Sequence, residues 1–213
     1  MIDATLQAVC VGQPETHIDP DAQRDAEWTS AIWKRPVAGS AELTSLGIVG
    51  DAVANPDAHG GVDKAVLAYS QDHGALWNDL LPELETTPGA FGENLAIVGQ
   101  AEPTVCLGDR YQIGEAVLEV SHPRQPCWKL ARRHRMPDLP KRTIALHRYG
   151  WYLRVIASGL IEAGQTVACV ARPYPDWPIA RVAEVFYSRR ERADEAAALK
   201  SLEVLAAAWR DLL

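Results

Sequence analysis

Residues 94–121 read NLAIVGQAEPTVCLGDRYQIGEAVLEVS, and they contain three short runs rich in aliphatic residues. The runs cover 94–98, 110–113 and 116–121, and glycines separate each run from the next. Short strands that end in glycine turns are typical of neighbouring strands that pair directly, without a crossover helix between them. The stretch therefore predicts a curved β-sheet or a barrel rather than parallel βαβ units.

Strands of the same kind are predicted on both sides of this stretch. Upstream, apolar runs cover residues 4–12, 29–37, 43–49 and 65–69. Downstream, they cover residues 151–157 and 166–170. Because these runs outnumber the helical patterns, the sequence predicts a mixed, mainly β fold with a few helices.

Loops and two helices connect the predicted strands. The polar, acidic segment 13–27 predicts a surface loop, and so does 55–62, which carries a proline and two glycines. Residues 127–135 predict a basic helix. Residues 71–84 predict an amphipathic helix with one buried face, made of Leu76, Leu80 and Leu84.

The composition changes after residue 171. Residues 172–178 read RPYPDWP, and three prolines in so short a segment predict a stiff linker. The chain beyond it is rich in alanine, leucine and arginine and predicts helices over 179–187, 194–200 and 203–212. The sequence thus predicts a β-barrel-like domain over 1–171 and a small three-helix domain over 172–213.

Length and hydrophobicity restrict the class of protein. The 213 residues are 47% hydrophobic, which is typical of a globular chain. No apolar run approaches the roughly 20 residues that a membrane span requires. The first residues, Met1-Ile2-Asp3-Ala4, lack the form of a signal peptide. We therefore expect a cytoplasmic protein that does not act at a membrane.

The net charge of −7 is unevenly distributed along the chain. Residues 1–120 carry five lysines and arginines against nineteen acids, whereas residues 121–154 carry nine against one. A basic island in an acidic chain predicts a local anion site, although it also fits a solvated helix face. Nucleic acid is not expected as a partner, because the acidic remainder would repel a phosphate backbone.

The four cysteines are far apart in sequence, and none forms a CxxC motif. This spacing argues against a zinc site, an iron–sulfur cluster and a disulfide framework. Cys10 and Cys169 lie in apolar runs and are expected to be small buried residues. Cys127 is different, because it lies inside the basic island at a predicted helix start.

The run Pro123-Arg124-Gln125-Pro126-Cys127 is the most informative motif for chemistry. Its two prolines restrict the backbone just before the cysteine. A helix N-terminus and the neighbouring Arg124 and Lys129 favour a thiolate at Cys127. The motif predicts a nucleophilic or metal-binding sulfur, while a buried capping cysteine stays the plain structural alternative.

Two glycine-bearing motifs and the early lysines are further candidates. His59-Gly60-Gly61 offers backbone N–H groups to a ligand, and Phe91-Gly92-Glu93-Asn94 offers a carboxylate and an amide. Either motif also fits ordinary loop scaffolding. Lys34 and Lys64 are the only lysines among residues 1–120, and both equally fit surface residues with buried stems.

Together, these motifs resemble the MOSC domain, which is named after the C-terminal region of molybdenum-cofactor sulfurase. Their order and spacing are most similar to the YiiM subgroup, whose early strand and helical extension match Thr29–Val37 and the chain after Trp177. Residues 52–55 depart from the subgroup's pattern, at a place that borders the expected pocket. The resemblance rests on these segments: Gly50-Asp51, 59–66, 92–95, Gly108-Asp109 and 123–130.

The resemblance implies a β-barrel-like fold with a cleft that binds molybdenum cofactor, with Cys127 as the metal ligand. Thiolate is a suitable soft ligand, and a basic island suits the cofactor's phosphate. Pyridoxal phosphate is also linked to this domain family, but no lysine here has a recognisable Schiff-base setting. The implied pocket residues are Lys34, His59, Gly60, Gly61, Glu93, Asn94 and Arg124.

The resemblance also implies reduction of N-hydroxylated small molecules, such as hydroxylaminopurine-like base analogues. The sequence has no flavin or nicotinamide motif, so this activity would need an external flavin or iron–sulfur protein as electron donor. His122 is a candidate proton donor near the thiol. The alternative is a carrier that holds sulfur or molybdenum cofactor at Cys127 without turnover of its own.

Overall fold

The computed structural model describes residues 4–20 and 26–213. The β-strands in these ranges are β1 (Ala4–Val11), β2 (Glu15–Ile18), β3 (Glu27–Ser30), β4 (Arg35–Pro36), β5 (Ser40–Thr44), β6 (Gly47–Ile48), β7 (Val66–Ser70), β8 (Leu95–Val98), β9 (Arg110–Ile113), β10 (Ala116–Pro123), β11 (Trp151–Ala157), β12 (Gly159–Glu162) and β13 (Thr166–Ala171). The α-helices are α1 (Pro56–His59), α2 (Gly74–Leu80), α3 (Trp128–His134), α4 (Leu139–Ala145), α5 (Ile179–Tyr187), α6 (Ala193–Lys200) and α7 (Ala207–Arg210). Short 3-10 helices cover Val62–Lys64 and Gln71–His73.

Seven strands close into a barrel in the order β13-β9-β10-β11-β7-β8-β1, and β13 pairs with β1 to complete the ring. All neighbours are antiparallel except β7 and β8, which run parallel. The hairpin from β9 to β10 is a tight one, because Ile113 faces Ala116 across Gly114-Glu115 and Gly114 adopts a φ of 53°. The predicted mainly β, barrel-like fold is confirmed.

The barrel interior is filled by side chains. Burial alternates along the first half of β1, where Leu6 is buried and its neighbours are exposed. Trp151, Leu118 and Val66 from three other strands are also fully buried in the same core. Since a filled barrel leaves no room for a ligand, a binding site has to lie outside the barrel, among the loops and helices.

The predicted loop over 13–27 is wrong for much of its length. β2 and β3 form a hairpin in which His17 faces Trp28, while residues 21–25 lie outside the described residues. Trp28 is buried, and His17 stacks on Trp33 with the ring centroids 3.8 Å apart. These ring contacts stabilise a hairpin that could not be predicted from the acidic composition of the segment.

Two predicted strands are also wrong as continuous elements. The chain leaves the sheet after β3 and returns only as β4, so 29–37 is not one strand. The run 43–49 folds back on itself, because Leu43 of β5 pairs with Ile48 of β6. Gly47 permits this turn, since its φ of 127° is disfavoured for residues with a side chain.

The predicted leucine face of the helix over 71–84 is wrong as well. The regular helix α2 is shorter, and the fully buried residue on it is Trp77 rather than Leu76 or Leu80. Leu84, beyond the helix, is buried. Trp77 anchors α2 because its indole N–H donates to the hydroxyl of Tyr69 at 2.8 Å.

The C-terminal helices form as three segments, although α7 is shorter than the predicted helix over 203–212. Their core contains Val182, Phe186 and Trp209, together with Leu107 from the chain before β9. The proline-rich linker is hydrogen-bonded to the same segment, because the Leu107 N–H donates to the carbonyl of Trp177. None of the helices in the described ranges has the length and hydrophobicity needed to cross a membrane.

The buried carboxylate of Glu102 joins the chain before β9 to the 3-10 helix Gln71–His73 and to the start of β11. The Glu102 carboxylate binds His73 Nε2 at 2.7 Å and accepts the backbone N–H of Gly150 at 2.8 Å, and both side chains of the pair are buried. Replacing Glu102 with alanine leaves two buried groups without partners, so we expect a loss of about 3 kcal/mol in the free energy of unfolding. Urea unfolding measures this loss. Glu102→Gln keeps an acceptor for Gly150 and should lose clearly less; equal losses would contradict the assignment.

Candidate functional site

A cleft with a volume of about 290 Å³ lies among the loops outside the barrel. Residues 30–34, 46–55 and 59–67 contribute most of its walls. Gly92 and Asn94 add to one side, and the other side is closed by Arg124, Cys127, Lys129 and Tyr152. The cleft therefore brings together residues that are far apart in sequence.

Cys127 lies in the wall of this cleft, directly before α3. Its thiol is half-buried and makes no capping hydrogen bond to the helix. The predicted basic helix forms, although it starts at Trp128 rather than at Cys127, and the Leu130 N–H donates to the backbone carbonyl of Cys127. The structural alternative of a capping cysteine therefore does not describe this side chain, whose sulfur is available to a ligand in the cleft.

Arg124 is a buried cation that lacks a counter-ion. The residue is only 6% exposed, it lines the cleft, and its Nη1 atom has no hydrogen-bond partner. None of the acids in the described ranges forms an ion pair with it. Since an unpaired buried charge is costly, this guanidinium is best accounted for by an anion that occupies the cleft.

Asp51 organises the opposite wall. Its carboxylate pairs with the ammonium of Lys34 and also accepts the Gly12 N–H and the side-chain amide of Asn94, each at 2.8 Å. Burial lowers the pKa of Lys34, whereas the adjacent Asp51 opposes that shift. Asn94 is held further by its Oδ1, which accepts the Leu67 N–H at 3.1 Å. The network fixes the ammonium of Lys34 at the cleft wall.

The cleft as a whole is cationic. Lys64 and Lys129 line it in addition to Lys34 and Arg124, and their ammonium groups donate to backbone carbonyls at 2.7 and 2.9 Å. His59 lines it too; burial lowers the pKa of His59, and the three nearby cations Lys129, Lys64 and Arg124 lower it further. A neutral imidazole and four cations against a single lining carboxylate make the cleft suitable for an anionic ligand.

Glu93 is placed differently from the other predicted site residues. It is fully buried and does not line the cleft. Its carboxylate accepts the N–H groups of Gly89 and Phe91 at 2.7 and 2.9 Å, and burial raises its pKa. Glu93 therefore acts as the internal scaffold of the loop that delivers Asn94, and a direct role in holding a cofactor stays a prediction.

Gly60 and Gly61 also lie outside the lining of the cleft. The Gly60 N–H is used internally, because it donates to the carbonyl of Pro56 at 2.8 Å. Gly61 adopts a φ of 96°, which lets the chain turn from α1 into the short helix that carries Lys64. The two glycines position His59 and Lys64, while the predicted backbone contact to a ligand stays untested.

His122 faces away from the cleft. It is 1% exposed, and its ring lies 5.4 Å from the ring of Trp209 in the C-terminal helices. Its Nδ1–H donates to the carbonyl of Pro123, whereas Nε2 has no partner. Burial lowers the pKa of His122 to about 4. A neutral, enclosed imidazole that does not line the cleft is poorly placed to donate protons there.

The burial of His122 predicts a sensitivity to acid. The unfolded chain takes up a proton on this residue near pH 6.5, whereas the folded chain does so only near pH 4, so stability falls as the pH drops between these values. The contribution of this residue is about 3 kcal/mol. Urea unfolding at several pH values measures this effect. Between pH 6.5 and 4 the free energy of unfolding should fall less steeply for His122→Phe than for the wild type, and parallel curves would contradict the role of His122.

Several cleft residues were not chosen from the sequence. Asp51 belongs to the motif Gly50-Asp51, so its position could be predicted although its role could not, whereas Lys64 was a candidate from the sequence and does line the cleft. Tyr152 comes from β11 and carries no motif. Residues 52–55, where the chain departs from the subgroup's pattern, do form part of the cleft wall, as expected. Within the described ranges, no group of three or more His, Cys, Asp or Glu residues could hold a metal ion.

Comparison with known proteins agrees with this geometry. The pattern of the MOSC domain matches residues 55–168, which is more than half of the chain and includes Cys127. The chain belongs to the MOSC domain family. The matched segment includes half of the residues that line the cleft, from Asn55 to Tyr152.

Among MOSC relatives, the chain is 41% identical over 167 residues to a reductase from Gibberella moniliformis, and 39% identical over 146 residues to protein YiiM from Escherichia coli. The first match covers 76% of this chain but 29% of the reductase, and the second covers 67% of this chain and 65% of YiiM. The chain thus spans less than a third of the reductase and about two thirds of YiiM.

The crystal structure of YiiM from Geobacillus stearothermophilus is similar to this MOSC chain over nearly its whole length. It superposes with a TM-score of 0.81 and 34% identity, covering 98% of this chain and 96% of that one. The agreement extends over the barrel and the C-terminal helices alike. The chain is therefore a YiiM-like MOSC protein.

Proposed function

We propose that this MOSC protein is a molybdenum-dependent reductase of N-hydroxylated small molecules and that Cys127 ligates the metal. The proposal also includes a cytoplasmic location and an external electron donor. A reductase among its relatives and the family's association with molybdenum cofactor support this choice. The observation that carries it is the presence of Cys127 and the unpaired Arg124 in one cleft.

The residues of the cleft fit the proposed cofactor. Thiolate sulfur is a ligand that a soft transition metal prefers, and the thiol of Cys127 is not engaged in capping. The cofactor's phosphate would find Arg124, Lys64 and Lys129, three cations without an acidic partner in the described ranges. Bound molybdenum would supply a redox centre that exchanges two electrons.

The residues of the cleft would bind the substrate and supply protons for the reaction. Reduction of R–NH–OH takes two electrons and two protons, breaks the N–O bond and yields R–NH₂ and water. The ammonium of Lys34, held by Asp51, is a proton source at the cleft wall. His59 has a lowered pKa and is neutral at pH 7, so it can accept a proton and pass it on.

The test is purification from a host that makes molybdenum cofactor, followed by metal analysis and an assay with hydroxylaminopurine. Reduced methyl viologen serves as chemical electron donor, so that no protein partner is needed. We expect about one molybdenum per chain and formation of the amine. Molybdenum without turnover, together with transfer of labelled persulfide sulfur from Cys127, would overturn the reductase and favour the carrier. Absence of bound molybdenum would overturn both cofactor assignments.

A further inference from the structure

The mouth of the cleft carries exposed apolar side chains. Leu46 and Val53 line the cleft and are 73% and 38% exposed, and Trp128, next to Cys127, is 44% exposed. Large apolar side chains that stay exposed beside an opening are typical of a surface that another molecule covers.

A basic surface begins at this mouth. Residues 127–148, which include α3 and α4, hold seven lysines and arginines against one acid, and three of these cations, Arg132, Arg133 and Arg142, are paired with acids. Arg135 and Lys141 are exposed and form no ion pair with any acid of the described residues. Arg135 follows directly on α3, and seven residues of helix place it about 10 Å along the axis from Cys127.

The two helices form a firm support for this surface. Leu130 of α3 and Leu139 of α4 are fully buried in one core with Phe91 and Trp77. The charged side chains are thus presented from packed helices rather than from loose loops. An apolar centre with a charged rim on a rigid support is the usual anatomy of a protein interface.

We propose that the cleft mouth and the α3–α4 face together dock an acidic electron-transfer protein that carries a flavin or an iron–sulfur centre. This inference rests on the proposed function, which needs two electrons from outside. The partner would give up two electrons, one at a time or as a pair, while R–NH–OH and two protons become R–NH₂ and water. Opposite charges would steer the encounter between the acidic partner and this basic face.

Flavodoxin, an acidic flavin protein, is the probe for the experiment. Arg135→Glu/Lys141→Glu reverses two charges on the proposed face. As a matched control, Arg190→Glu/Lys200→Glu reverses two exposed charges in the C-terminal helical segment, one between α5 and α6 and one at the end of α6. At low ionic strength we expect the first pair to raise the Kd for flavodoxin roughly tenfold and the control to leave it unchanged. At about 0.5 M salt the difference should shrink to about twofold or less.

Two readouts separate this proposal from the proposed function. Turnover with reduced methyl viologen needs no docking, so both double variants should retain the wild-type rate. If the wild type shows no such turnover, the proposed function fails, while the binding measurement still decides the docking surface. Equal weakening by both double variants, no binding of flavodoxin to the wild type, or preferential binding of a single-stranded DNA probe to the α3–α4 face would overturn the docking surface.

Discussion

Replacing Cys127 with serine is expected to reduce bound molybdenum to below about a tenth of the wild-type content and to lower turnover at least 100-fold. The hydroxyl is a harder and more weakly acidic ligand than the thiol, so it would not hold a soft metal at this position. The thiol is half-buried and free of capping bonds, so the fold should tolerate the change. Metal analysis and the viologen assay on the same preparation measure both effects.

Cys169→Ser is the matched control for this experiment. Cys169 is also half-buried, but it lies on β13 and does not line the cleft. The control should keep wild-type molybdenum and turnover. Equal molybdenum in the wild type and Cys127→Ser would rule out Cys127 as the ligand, whatever happened to turnover.

The barrel could be predicted because its signals are local. The turn at Gly114-Glu115 and the aliphatic runs around it lie within a few residues of one another, and each strand likewise shows its own aliphatic run, although the pairings that close the barrel, such as β13 with β1, join distant parts of the chain. The hairpin of β2 and β3 could not be predicted in this way. It depends on the packing of Trp28 and Trp33 around His17, which is a tertiary contact within an acidic, polar segment.

The candidate site was predictable in part for the same reason. Arg124 and Cys127 belong to one short motif, so their neighbourhood could be inferred before their environment was known. Asp51 could not be identified as a site residue from the sequence. Its role follows from bonds to Gly12, Lys34 and Asn94, which come from separate parts of the chain. A sequence motif identifies such a residue, but it does not show which hydrogen-bond donors the folded chain places around its carboxylate.

The cationic character of the cleft shows the limit of charge patterns along the chain. The basic island over 121–154 predicted an anion site, and it does supply Arg124 and Lys129. Lys34 and Lys64 come instead from the acidic part of the chain, where each stood as an isolated lysine. Folding brings these distant lysines next to Arg124 and Lys129. The cleft therefore holds more cations than either the basic island or the acidic part of the chain indicated.

Replacing Arg124 with methionine is expected to make the protein more stable and less able to bind its ligand. The guanidinium is 6% exposed and unpaired, so an apolar side chain of similar length should raise the free energy of unfolding of the ligand-free protein by about 1–3 kcal/mol. Loss of the buried cation should weaken binding of an anion by about 2–5 kcal/mol, or roughly 30-fold to 1000-fold or more. Urea unfolding and the content of molybdenum cofactor measure the two effects.

The opposite signs of these effects are what identify an anion site. A guanidinium that served only the fold would lower stability when removed, so a loss of stability in Arg124→Met would contradict the assignment. Arg124→Lys keeps the charge but not the planar fork, and it should bind the anion with intermediate strength. Inorganic phosphate should also raise the thermal unfolding midpoint. This rise should be largest for the wild type, smaller for Arg124→Lys and smallest for Arg124→Met. A buried charge that lowers the stability of the ligand-free protein thus indicates that the cleft binds a ligand of opposite charge.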